Sequence, residues 1–331
     1  MVHSVAETAV GSPMLHWRQL LVVVLALGIP GPALSLQRSD WDAVLPPGSG
    51  CWVEDCRPGQ WPIAHVPVAA PDGLWMVGQG NGSAWTWHSA DGIAWQRSVS
   101  DASWGERYGM EVIFFKGRLW AMGGTQISND AFRNDVWSSA DGIHWKRDVP
   151  RAPWSARRWH AVAVFNDQLW LLGGTDGDDR SDVWVTSDGV NWHQSTAAAP
   201  WSGRGGHAAV VHGDRLWVIG GGGWDAPLND VWYTADGVTW LEATPSAPWA
   251  GRIHFGSESL GGRMWVFGGA TRNDVWSSID GATWERAPDP PWGPRTTNYS
   301  TVFHGALWLF GGKTGTAESV VDEVWRMRPS S

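Results

Sequence analysis

The chain has 331 residues, enough for one large domain or two small ones. Charged residues make up 17% and the net charge is −9, and no Lys/Arg-rich run is present to neutralise phosphates, so nucleic acid is excluded as a partner. The 29 Trp and 42 Gly lie far above ordinary usage, and short Val-, Phe- and Trp-rich runs broken by Gly, Asp and Asn point to an all-β protein.

Residues 1–17 are mostly polar or small, and Arg18 precedes the ten-residue apolar run Leu20 to Ile29. Pro30, Gly31 and Pro32 close the run, and Ala33-Leu34-Ser35 offers small residues for cleavage. This pattern predicts a signal peptide over residues 1–35, too short for a comfortable membrane span. A secreted or periplasmic monomer, free of the membrane after cleavage, is the expectation. Residues 36–60 hold a short strand and then Cys51 and Cys56 in a Pro/Gly-rich loop. In an oxidising compartment these two can close a disulfide. No nearby His or Cys completes a four-ligand metal site, so no metal and no cofactor are expected.

From residue 61 the chain repeats. A Leu-Trp pair ends at Trp75, Trp120, Trp170, Trp217 and Trp308, with Met264-Trp265 in its place in the fifth repeat, just before a diglycine in every repeat but the first, which has Gly78-Gln79-Gly80. A strand with Trp87, Trp137, Trp184, Trp232, Trp276 or Trp325 follows. Next comes a D-G-x-x-W turn, beginning at Asp91, Asp141, Asp188, Asp236 and Asp280. Asp-Gly between apolar runs is a hairpin signal, because both residues tolerate positive φ. Repeats therefore cover about 61–103, 104–153, 154–200, 201–248, 249–291 and 292–328. A period in this range marks a repeat architecture. Each unit predicts four antiparallel strands, a to d. One such sheet cannot bury both faces alone, and six stacked radially can. The last unit stops after Trp325 without its D-G-x-x-W strand, and Trp41 to Pro46 matches Trp145 to Pro150 in residue kinds and order. The expected fold is a six-bladed propeller whose ring is closed by the N-terminal strand 41–46, which also removes an open sheet edge.

Arg157 and His160, Arg204 and His207, the Leu-Trp…Gly-Gly and the Asn-Asp-Val-Trp together resemble the kelch propeller family over residues 41–328. Kelch propellers host enzymes, adaptors and binding modules, so this resemblance speaks for fold more than for activity. The S-x-D-G-x-x-W turns also look like the Asp-boxes of sialidase-type propellers, shortened by one residue, and are read as hairpin turns. A copper oxidase of the galactose-oxidase type would need a Cys beside a Tyr, and both cysteines lie in the N-terminal loop. Among exported kelch proteins the plan is similar to the N-acetylneuraminate epimerase (sialic acid mutarotase) type, whose first blade also has Gly-x-Gly. That type carries a Glu within a middle-blade Gly-Gly, where this chain has Gly220-Gly221-Gly222-Gly223.

Strand direction puts the d–a and b–c connections on one face, here called the top. Arg107, Arg157, Arg204, Arg252 and Arg295 open strand a in five repeats. They are expected either to ring the channel mouth as an anion site or to tie neighbouring loops. Four repeat positions over six blades account for all but Trp17, Trp52, Trp85, Trp159 and Trp224. Trp85, Trp159 and Trp224, with Arg158, map to the top face, as plates for a sugar ring or as loop packing. Glu111 and Glu258 sit in otherwise apolar strands, as acid/base candidates or as ion pairs between blades. Asp176-Gly177-Asp178-Asp179 lacks the ligand spacing of a known calcium loop and reads as a solvated turn. His160 and His207 read as structural repeat positions, with His65 and His254 one residue out of phase. The expected activity is binding of a small anionic or sugar-like ligand, or an acidic peptide, at the top face. The alternatives are a carbohydrate isomerase or mutarotase, and a protein-interaction scaffold without a small ligand.

Overall fold

The computed structural model describes residues 40–45, 64–80, 83–99, 104–223, 225–269, 272–296, 299–314, 319–321 and 323–328. The expected signal peptide, Cys51, Cys56, Trp52 and Trp224 lie outside these residues. Every regular element among the described residues beyond a short turn is a strand, and the strands form six antiparallel sheets of the predicted kind plus a two-stranded ribbon, Lys313–Thr314 with Ser319–Val320.

Blade 1 is Ala64–Ala70, Gly73–Gly80, Ser83–Ser89 and Gln96–Val99. Blade 2 is Arg107–Phe115, Arg118–Gln126, Val136–Ser139 and Lys146–Val149, with Ala131–Phe132 added beside its second strand. Blade 3 is Ala161–Phe165, Gln168–Leu172, Val183–Thr186 and His193–Thr196. Blade 4 is Ala208–His212, Arg215–Gly223, Ala226–Thr234 and Leu241–Thr244. Blade 5 is Gly256–Leu260, Arg263–Phe267, Val275–Ser278 and Glu285–Arg286. Blade 6 is Tyr299–Phe303, Ala306–Phe310 and Val324–Met327, completed by Trp41–Leu45. The first strands touch in cyclic order, blade 1 to 6 and back to 1, so they line a central axis.

The closing strand repeats the geometry of its counterparts. Ala43 lies opposite Trp325 and Leu45 opposite Val324, skipping one residue. In blade 2, Arg147 opposes Trp137 and Val149 opposes Val136, with the same skip. Trp41 meets Trp292 edge-on at 5.7 Å and 81°, as Trp284 meets Trp249 at 5.8 Å and 85°. The N-terminal strand thus supplies the tryptophan that a D-G-x-x-W turn supplies elsewhere.

Those turns have a second task. Asp236 accepts from the N–H groups of Val238 and Thr239 and from the Thr234 hydroxyl, fixing a tight bend. That bend brings Gly237 flat onto the Trp170 ring of the preceding blade, where a Cβ would come within 1.9 Å of the indole. Gly142 on Trp75, Gly189 on Trp120, Gly281 on Trp217 and Gly92 on Trp308 repeat the contact around the ring. The Asp-Gly pair is therefore a turn signal and a packing requirement at once. Apolar clusters lie between adjacent blades, each rich in buried tryptophan.

Candidate functional site

The repeat arginines are buried and do not form an anion site at the mouth. Arg157 donates to both oxygens of Asp182 at 2.6 and 2.8 Å, and Arg204 to both oxygens of Asp230 at 2.9 and 2.8 Å. Arg107 takes Asp135, Arg252 takes Asp274 and Arg295 takes Glu323. Each also donates to the carbonyl of the first glycine of its own blade's diglycine. A fork-to-fork pair of this kind consumes the donors that an external anion would need. Burial pushes the Asp135 carboxyl up, but the bonds from Arg107 outweigh it and hold the group below its ordinary value. The same acid accepts the indole N–H of Trp137, and Asn134 bonds the carbonyls of Ala152 and Trp154. The Asn-Asp-Val-Trp motif is thus the clamp that fastens the b–c connection to the d–a connection and to the arginine.

The residues just after each arginine form the mouth itself. Two positions on, blades 2 to 5 carry Gly109, Trp159, Gly206 and His254, all at positive φ. Trp159 N–H donates to Gly109, Gly206 to Trp159 and His254 to Gly206, at 2.9 to 3.0 Å. This backbone hoop crosses four blades at the top of the channel. Glycine occupies such a conformation freely, whereas Trp159 (φ 55°) and His254 (φ 50°) carry side chains there at a cost of about 1–3 kcal/mol each. Their rings meet edge-on at 4.9 Å across Gly206, where a Cβ would come within 3.0 Å of the imidazole.

Arg158 sits beside them. Its guanidinium lies 3.9 Å from the Trp159 ring centre, 5.0 Å from that of Tyr108 and 5.3 Å from that of Phe132. It donates to the Tyr108 hydroxyl, which donates onward to Asp130 at 2.9 Å. Burial, together with the bond to Asp130, pushes the Tyr108 hydroxyl up, against the pull of Arg158. Burial, helped by the Arg158 charge, pushes His254 down to about 4. At neutral pH the cluster therefore presents one guanidinium, one phenol, one indole and a neutral imidazole. That combination suits a ring with an anionic substituent.

Glu111 and Glu258 stand on first strands of blades 2 and 5, opposite each other in the ring of six. Both keep slight contact with the channel but are otherwise enclosed by protein. Burial pushes Glu111 up to about 8. It pushes Glu258 up to about 7, against a 2.8 Å bond from the Ser300 hydroxyl. Among the described residues neither has the blade-to-blade ion pair that would keep it charged.

The remaining candidates separate. Trp85 stands in blade 1 at the place of the clamp aspartate, half-buried, with Arg97 at 4.0 Å over its ring. It does not join Trp159. Asp176 is held by Arg180 at 2.8 Å, and no metal-competent cluster exists among the described residues. Asp179, beside Gly205, is pushed up by partial desolvation of its carboxyl despite a bond from Thr175, helped by the charge of Asp178. His160 and His207 are buried, and enclosure pushes both down to about 3. Sequence reasoning missed Tyr108 and His254. Aligning on the arginine, and not on His160 and His207, would have put His254 in the slot of Trp159.

A kelch-motif family model matches residues 203–233, which is one repeat. No curated protein matches the chain. The solved structure of YjhT superposes with a TM-score of 0.66 at 16% identity, covering 80% of this chain and 96% of that one. The six sheets close into a six-bladed β-propeller, and one of its repeats matches the kelch motif.

Proposed function

We propose that this is an exported kelch propeller that binds a small anionic, ring-containing ligand at the channel mouth, with Arg158, Trp159, Tyr108 and His254 as its contacts. One observation carries the reading. Trp159 and His254 occupy left-handed backbone slots that blades 2 and 4 fill with glycine, and strain of this kind persists where a site needs it. Arg158 supplies the charge, and its partner is a phenol and not a carboxylate. The test is a tryptophan-fluorescence titration with sialic acid, uronic acids and acidic peptides. Trp159→Gly is the informative variant, because Gly109 and Gly206 already hold the same backbone. Quenching should saturate in the wild type and disappear in Trp159→Gly and Arg158→Gln. A titration signal that survives both substitutions overturns the reading.

A second reading, carbohydrate isomerisation, is favoured by the two channel carboxyls, whose pKa values of about 8 and about 7 suit proton transfer near neutrality. It requires anomer exchange, followed by NMR, that slows in Glu111→Gln or Glu258→Gln.

A further inference from the structure

Beside the mouth lies a cleft of about 490 Å³ between the b–c connection of blade 2 and the d–a connection leading to blade 3. Its walls include Phe132, Pro150 and Ala156, and three arginines enter it: Arg133, Arg147 and Arg151. In a chain of net charge −9, three guanidiniums in one cleft need an explanation. None of the three forms an ion pair among the described residues, and the Nε of Arg133 is enclosed without a partner. The acids nearby are already taken: Asp135 by Arg107, and Asp148 by Lys146 and Ser138. The walls are also preformed. Arg133 N–H donates to Gly124, its carbonyl accepts from Arg157, and Asn134 holds Ala152 and Trp154. An anion entering here meets donors whose backbone is already fixed, which lowers the ordering cost of binding.

The cleft is too large for a lone anion and lies within the range of small-ligand sites. It also adjoins the mouth. Phe132 lines the cleft, and its ring lies 5.3 Å from the Arg158 guanidinium. One aromatic wall therefore separates a single-charge, aromatic site from a three-arginine site.

We propose that the cleft is a second anionic subsite, and that cleft and mouth together take an acidic oligosaccharide carrying at least two anionic groups. This rests on the reading of the mouth given above. One sugar ring packs at Trp159 with its charge on Arg158. The next anionic residue passes Phe132 and lies among Arg133, Arg147 and Arg151.

Isothermal titration calorimetry tests this with four probes: a uronic-acid monosaccharide, an oligouronate tetrasaccharide, a neutral tetrasaccharide and a tetraglutamate peptide. The variants are Arg147→Gln/Arg151→Gln, both at exposed side chains, and Trp159→Gly, with thermal unfolding as the check on folding. The acidic tetrasaccharide should bind the wild type at least about tenfold more tightly than the monosaccharide. That gain should fall with added salt and vanish in Arg147→Gln/Arg151→Gln, leaving monosaccharide binding intact. Trp159→Gly should lose both sugars. The proposal is overturned if the gain survives the double substitution, if the neutral tetrasaccharide or the peptide binds equally well, or if no acidic sugar binds. Tetrasaccharide binding that ignores Trp159→Gly yet needs Arg147 and Arg151 removes the reading of the mouth and leaves the cleft as a site of its own.

Discussion

At the scale of single residues, the repeat spends its charges on itself. Each buried arginine meets an acid 22 to 28 positions later in the chain. The chain contains its own control for this pair. Blade 1 has no arginine at its start, and at the place of the acid it has Trp85. Both halves are absent together, as expected if either alone would leave a buried charge uncompensated. Arg204→Met should therefore cost about 3–5 kcal/mol of stability, because Asp230 stays behind half-enclosed. Arg204→Met with Asp230→Leu should recover much of that loss, even though it deletes more polar contacts. Urea unfolding of the two variants reads the difference. A double variant no more stable than the single one would show that the carboxylate is not the source of the cost.

At the scale of the element, the strand pattern was legible because the tryptophans, diglycines and Asp-Gly turns recur at nearly constant spacing and each has a local physical cause. Ring closure was legible for the same reason, since Trp41 to Pro46 repeats the residue kinds of Trp145 to Pro150. The arginines were placed correctly along the chain, but their role was open. Position in sequence says that Arg157 precedes strand a, and not that Asp182 folds back onto it. The mouth was less legible still. Positive φ at Trp159 and His254 arises from a hoop of bonds between blades, which no single repeat displays. The closing strand carries the prediction at this scale. Trp41 is buried against Trp292 and within the cluster of Trp265 and Trp325. Trp41→Ala should cost about 3–5 kcal/mol by the usual penalty for emptying a large aromatic site. It should also loosen the strand from Val324–Met327 and expose that edge to pairing. Thermal unfolding and size-exclusion chromatography should show a lower midpoint and new higher-mass species. An unchanged midpoint would mean that the ring does not depend on this strand.

At the scale of the whole molecule, groups buried neutral set the pH range of stability from both sides. Glu111 and Glu258 have folded pKa values raised to about 8 and about 7 from 4.5. The folded state holds these protons more tightly than the unfolded chain. Their stabilising contribution is complete below pH 4.5 and is lost as pH rises through 7 and 8. His160 and His207 act in the opposite direction, lowered to about 3 from 6.5. Their contribution is complete above 6.5 and is lost as pH falls toward 3. Stability should therefore peak between 4.5 and 6.5, where the two slopes oppose, and fall by at most about 1.4 kcal/mol per pH unit for each group on either side. The limbs can be flattened separately. Glu111→Gln removes a proton-linked group from the alkaline limb and should raise the unfolding midpoint at pH 9 more than at pH 5. His160→Met should act on the acid limb alone. Methionine is suited to that site, since Met110 fills the corresponding position of blade 2. Calorimetric midpoints across pH 4 to 9 distinguish the two. Equal shifts at both ends in either variant would assign the effect to packing and not to protons.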